Sequence, residues 1–243
     1  MKVRSVFTWP ETPRAPRLRP ALALAKSPLA VLAVVVSGLT SAAFRMIGVV
    51  YGREVGLTDQ RIDLFLAAFV ADGAIAQSPA GRLADKYDRR CVLIWFSVLG
   101  IASCAVTVGS AGVGPGLVPA AAALFGFATF PIYSIAAAHA HDFANSSERV
   151  ELCVAILFFF AVGAIASPLV ASALLEALGP TSPFVLTSAG HPMLVGFGLV
   201  RMLARPTRAE RTRYVYAPRI SFLIGRLPRK GREAKAPPKD GHP

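Results

Sequence analysis

Between residues 28 and 204 the chain runs through long apolar stretches in which charged side chains are almost absent, separated by short polar breaks. The hydrocarbon core of a bilayer is about 30 Å thick, so a helix needs roughly 20 mostly apolar residues to cross it. Six stretches meet that requirement: 28–50, 62–80, 91–113, 116–138, 152–178 and 183–204. The alternation of apolar and polar residues that marks a membrane β-barrel is absent. Composition agrees, since only 16% of residues are charged and 54% are apolar, whereas a soluble domain is about 25% charged. The pattern predicts an all-α integral membrane fold with six transmembrane helices over 28–204. A basic, proline-rich N-tail (1–27) precedes it, and a basic C-tail (205–243) of disorder-prone composition follows.

Local signals refine the ends. Thr58 and Asp59 are suitable N-caps for the second helix. Asn145 and Glu148 have the spacing of a capping box ahead of the fifth. The sixth is interrupted by "SAGHP" (188–192), where Gly190, His191 and Pro192 could break a helix as in transporters or simply kink it.

Lysine and arginine set the direction of insertion. The N-tail holds six, the segment after the second span four, the segment after the fourth one (Arg149), and the stretch from Arg201 onward twelve, out of 26 in all. With six crossings these all share one side, and the other side keeps Arg53 and Arg61. The asymmetry predicts an inner-membrane protein with both termini cytoplasmic. Because the basic residues flank apolar segments, their counter-charge is anionic lipid rather than nucleic acid. Residues 1–27 lack the apolar core of a secretory signal.

Cys91, Cys104 and Cys153 lie in or beside apolar stretches and read as small hydrophobes rather than a disulfide framework. "AHAHDF" gathers His139, His141 and Asp142, but residues two apart on a helix point about 200° apart and cannot share a metal. No P-loop or catalytic-triad signature is present, so the expectation is a non-enzyme without metal or cofactor.

The densest charge lies in "SPAGRLADKYDRRCVLI" (78–94), with six charges in the nine residues from Arg82 to Arg90. Insertion topology accounts for the basic residues. It leaves Gly81, Leu83 and Asp85 unexplained. A glycine here would let two helices approach closely, Leu83 would face apolar packing, and Asp85 among arginines points to an ion-pair network that can be made and broken.

Gly81, Leu83, Asp85, Lys86, Arg89 and Arg90 fall in register with G-x-L-x-D-[RK]-x-G-[RK]-[RK], and the chain resembles the major facilitator superfamily that carries it. Asp88 departs from the pattern, standing where the family has glycine. The form "GRLxDxxDRR", with "SPLAVLAVVVSGLTSAAF" (27–44), "VVYGREVGL" (49–57), "FGFATFPIYS" (125–134) and "FPIYSIAAAHAHDF" (130–143), is similar to the C-terminal half of YcaD-like transporters. The resemblance runs over about residues 20–215. It implies one six-helix half of a twelve-helix bundle, with 8–28 resembling the linker between halves. It further implies a small solute of unknown identity, alternating access, and Asp85 pairing with the opposite half. A second half would come from a homodimer or another polypeptide. A transport-incompetent remnant and a membrane-embedded regulatory subunit are the rival readings.

Arg45 and Asp72 are the full charges deep within spans, each costing about 2.5–3.5 kcal/mol near a helix centre on insertion scales. Their depths differ by several ångströms, a gap that a long arginine could bridge, so an Arg45–Asp72 pair is one expectation. A proton-coupling role for Asp72 is another, and a polar substitution without function is a third. Ala67, Ala71, Ala74 and Ser78 form a small-residue stripe on the second span, and Gly48 and Gly52 form G-x-x-x-G on the first. Both are expected to be packing surfaces.

Overall fold

The computed structural model describes residues 17–204; residues 1–16 of the expected N-tail and the whole of the expected C-tail, 205–243, lie outside the described residues. Among the described residues all regular structure is helical. The order is α1 (Pro20–Lys26), α2 (Pro28–Glu54), α3 (Asp59–Lys86), α4 (Arg89–Val113), α5 (Val118–Thr129), α6 (Pro131–His141), α7 (Arg149–Leu178), a single 3-10 turn (Gly179–Thr181) and α8 (Ser182–Ala204).

Five segments are long and apolar enough to cross a membrane. The last of them, Arg149–Ala204, has 56 residues, about 84 Å of helix at 1.5 Å per residue. The turn at Gly179, whose φ of 72° suits glycine, divides it into α7 and α8. The fourth segment is α5 followed by α6. Pro131 lacks the N–H that would continue the ladder, while Phe130 keeps helical dihedrals, so the two short helices together make one pass. Among the described residues this gives six helical passes of membrane-spanning character in an integral membrane protein of all-α fold.

Several boundaries differ from the sequence expectation, each for a local reason. A short helix, α1, occupies 20–26 within the stretch assigned to the N-tail, with Pro20 at its first turn. Ser27 ends it and caps α2, its Oγ accepting from the Ala30 N–H at 3.2 Å. Helix α3 begins at Asp59 after Thr58 but continues through Pro79 and Gly81 as far as Lys86. The expected loop "GRLADKYDRR" is thus mostly helix, with only Tyr87 and Asp88 between α3 and α4. Half of the expected capping box forms: Glu148 accepts from the Asn145 N–H at 3.0 Å. Helix α8 runs unbroken through "SAGHP". In the turns before Pro192, Thr187 Oγ1 donates to the Pro183 carbonyl at 2.8 Å and a ring nitrogen of His191 lies 3.0 Å from the Thr187 carbonyl.

Two large apolar clusters, with a small third around Ala43, Ile47 and Ala171, build the core. One joins Leu29, Leu93, Ile132, Leu152, Ile156 and Leu194 near the end where Tyr87 and Asp88 turn. The other is aromatic and lies toward the opposite end, with Phe44 at its centre, 4.1 Å from Phe69 and 4.9 Å from Phe65. Helices α2 and α7 cross closely, since a β-carbon on Gly38 would strike the Phe160 carbonyl and one on Gly163 the Val35 carbonyl. Reciprocal glycines at one crossing are the membrane solution to close packing, where lipid supplies no hydrophobic drive between helices.

Candidate functional site

The signature stretch is the turn that links α3 to α4, and its arginines fasten three helix ends together. Arg89, at the start of α4, donates through Nη1 to the Ala138 carbonyl at 2.5 Å and to Asp142 Oδ1 at 2.7 Å. That places a cation on the C-terminal end of α6, where unsatisfied carbonyls gather negative potential. Arg90 does the same for α8, donating to the Arg201 carbonyl at 3.2 Å. Asp88 holds Arg90 at 2.9 Å and also caps α4, accepting from the Arg90 N–H at 2.9 Å. Its backbone is extended, with φ −61° and ψ 123°. Glycine is therefore not needed here, and aspartate adds a cap and a counter-charge, which accounts for the departure from the family pattern.

Asp142 is the functional partner that reading the sequence missed. It was weighed only as a metal ligand in "AHAHDF". Its contact with Arg89 spans 53 residues, beyond any local pattern. His139, three residues earlier in the same stretch, is buried and stacks edge-on to Phe143 with ring centres 5.2 Å apart.

Asp85 behaves differently from the other acids of the site. Among the described residues its one ion pair is to Arg89 at 3.7 Å, and its side chain is 40% exposed. Arg89 already has two shorter bonds, so Asp85 is held weakly. Gly81 meets nothing that a β-carbon would touch within 4 Å, and Leu83 is 40% exposed. The expectations of a close helix approach at Gly81 and apolar burial at Leu83 are therefore not met among the described residues. Lys86 is exposed, its ammonium 5.3 Å from the centre of the Tyr87 ring.

The small-residue stripe on α3 also differs from expectation. Ala67, Ala71, Ala74 and Ser78 are all exposed. Gly81 and Asp85 extend the same row at three- and four-residue steps, and they are exposed too. Gly48 and Gly52 do pack as expected, the first against Phe65 and Leu66, the second against Ile62. Arg45 is exposed on α2 and Asp72 half-buried on α3. The structure brings no Arg45–Asp72 ion pair together; the ion pairs among the described residues join other side chains.

A second set of contacts ties α1 to the start of α7 at this same end. Arg19 pairs with Glu151 at 2.8 Å and Lys26 with Glu148 at 2.7 Å. The Lys26 hydrogen bond, then the Asn145 N–H, hold the Glu148 carboxyl below the ordinary glutamate value of 4.5.

Comparison with known proteins agrees with this arrangement. The family model of the Major Facilitator Superfamily matches residues 30–226. An uncharacterized MFS-type transporter of Enterobacter sp. (strain 638) is 26% identical over 214 residues, covering 88% of this chain and 53% of that protein. An uncharacterized MFS-type transporter of Yersinia pestis (strain Pestoides F) is 30% identical over 165 residues, 68% of this chain and 40% of its own length. The uncharacterized MFS-type transporter YcaD of Salmonella paratyphi B is 27% identical over 185 residues, 76% of this chain and 46% of its own. The chain thus spans about half the length of the curated relatives it matches. Six apolar passes, the arginine-fastened turn between the second and third, and a family match over most of the length together make this chain a member of the major facilitator superfamily.

Proposed function

We propose that this chain is one six-helix half of an inner-membrane solute transporter, with the Tyr87–Asp88 turn and both flanking tails on the cytoplasmic side. It works by alternating access against a complementary half. The observation that carries this reading is the exposed row on α3 from Ala67 to Asp85. Small residues in register on a membrane helix let another helix backbone come close, and lipid needs no such row. The row ends in a carboxylate held loosely enough to change partners.

In this reading the opposite half packs along Ala67, Ala71, Ala74 and Ser78. Gly81 supplies the close approach that it lacks within the chain. Asp85 pairs with a helix end of that half in one conformation and falls back toward Arg89 in the other. Arg89 and Arg90 stay fixed, keeping α4, α6 and α8 a rigid body that rocks as a unit. The weight of lysine and arginine at this end supports its cytoplasmic placement. The solute is a small molecule whose class the single half does not define.

The test pairs the chain with its complementary six helices in proteoliposomes and screens for solute uptake. Ala74→Leu should abolish association and uptake while leaving the chain folded. Asp85→Asn should leave association intact and lower uptake by tenfold or more. A chain that stays monomeric and idle with every complementary half offered would overturn the proposal and favour the remnant reading. Association without uptake, insensitive to Asp85→Asn, would favour a regulatory subunit.

A further inference from the structure

At the outer side of the α3–α4 hairpin lies a groove of about 550 Å³ lined by Leu83, Tyr87, Cys91, Val92, Trp95 and Phe96. Its lining is almost wholly apolar. The carboxylate of Asp88, which also borders it, is engaged by Arg90. Trp95 is 76% exposed, whereas its neighbour Phe96 is buried. Seven residues of helix separate Asp88 from Trp95, so the groove descends about 10 Å from the turn into the apolar layer. Its lining includes two residues of the signature stretch, Leu83 and Tyr87, whose side chains the core does not use.

The mouth of the groove is cationic. Lys86 sits over the ring of Tyr87, itself a wall of the groove. Arg82 lies one turn before Lys86 on the same face and is exposed. Of the other charges in the hairpin, Arg89 is taken by Asp142 and Arg90 by Asp88. Asp85 offsets one of the two remaining cations and turns partly toward Arg89. An apolar slot of chain-like depth with a surplus positive charge at its mouth complements a diacyl lipid carrying a net negative charge.

We propose that this groove binds one anionic phospholipid, an acyl chain lying along Leu83, Cys91 and Trp95 and the phosphate resting on Lys86 and Arg82. The inference rests on the chain's membrane fold and is independent of the transport reading. It gives Leu83 a role that helix packing does not.

The two tryptophans of the chain are Trp9 and Trp95, so Trp9→Phe leaves Trp95 as a sole fluorescent reporter beside the site. The full chain with that change is placed in phosphatidylcholine vesicles containing a minor fraction of acyl-brominated phosphatidylglycerol or, in parallel, acyl-brominated phosphatidylcholine. Bromine quenches on contact. The expected result is markedly stronger quenching by the brominated anionic lipid at equal mole fraction. Lys86→Gln should lower that preference about fivefold, the worth of one basic residue near anionic lipid, and adding Arg82→Gln should bring the two lipids to near parity. High salt on the otherwise unaltered chain should weaken the preference as well, a readout that needs no folded variant. Cys91→Trp, which fills the slot, gives a second check: it should abolish the preference. Equal quenching by both lipids would overturn the proposal, making the groove ordinary annular surface. A preference that survives both glutamine changes would place the headgroup elsewhere. No quenching by either lipid would mean that protein, a second copy or a complementary half, covers Trp95.

Discussion

Two aspartates in contact with the same arginine have unequal parts. Asp142 lies 2.7 Å from Arg89, and both side chains are less than a fifth exposed. Asp85 lies 3.7 Å away with its side chain 40% exposed. Removing the short, sheltered carboxylate leaves the guanidinium the Ala138 carbonyl and the looser Asp85, and its Nε has no partner of its own. Asp142→Asn should therefore cost about 1.5–3 kcal/mol, read as a lowered unfolding midpoint in detergent. Asp85→Asn should shift the same midpoint by less than about 1 kcal/mol, as for exposed pairs generally. If the two variants lose equal stability, the division between a fixed tie and an exchangeable one fails. The sequence made Asp85, Arg89 and Arg90 legible because they sit in one local pattern. Asp142 was not legible, because its role depends on where the end of α6 arrives in space. Arg45 and Asp72 teach the converse: depth along two helices predicted proximity, but rotation about each axis decides whether side chains meet.

At the scale of elements, the apolar runs read correctly because lipid leaves a helix few alternatives: every backbone group must be satisfied within the segment. The ends read less well. Charged residues signalled loop at 81–90, yet a helix can carry charge once it emerges from the apolar layer, and α3 does so for a further turn and a half. Close crossings were read at Gly48 and Gly52 from spacing alone, whereas Gly38 against the Phe160 backbone and Gly163 against the Val35 backbone join helices α2 and α7 far apart in sequence. A methyl group at Gly163 meets backbone that cannot swing aside. Gly163→Ala should cost about 1–3 kcal/mol, while Gly81→Ala, with open space around it, should stay within about 0.5 kcal/mol in the isolated chain. Thermal unfolding of the purified variants separates them, and a destabilised Gly81→Ala would mean that the α3 row is packed within the chain after all. The seam between α1 and α7 carries a pH dependence. Because Lys26 lowers the Glu148 pKa, its contribution is fully present above the ordinary glutamate value and is lost as pH falls through the lowered one. Hydrogen exchange over 20–26 should thus be slow at neutral pH and accelerate only in acid below pH 4.5. Acceleration that begins at neutral pH would assign the seam to other groups.

The described helices have two chemically distinct ends. One end gathers Arg19, Lys26, Arg82, Lys86, Arg89, Arg90, Arg149 and Arg201, with the helix C-termini of α6 and α8 tied to it. The other end has Arg53 and Arg61 among Glu54, Asp59, Asp63 and Glu176. Positive charge that resists translocation retains its segment on the cytoplasmic side during insertion. The same arginines then become structural, because the carbonyls they cap are brought to them by the even number of passes. With this end on the cytoplasmic side, as proposed, one group of residues would set both insertion and rigidity. The orientation can be tested directly. In a chain with Cys91, Cys104 and Cys153 changed to serine, single cysteines at Pro115 and Asn145 report the two ends, and both positions are exposed. A membrane-impermeant maleimide added to intact cells should label the chain carrying Pro115→Cys and leave Asn145→Cys unlabelled until the membrane is opened. The reverse pattern would place the arginine-fastened end outside and detach the charge asymmetry from topology. Labelling of both from outside would indicate mixed insertion. In that event Asp85 would meet a complementary half from only part of the population, and uptake per molecule should fall in proportion.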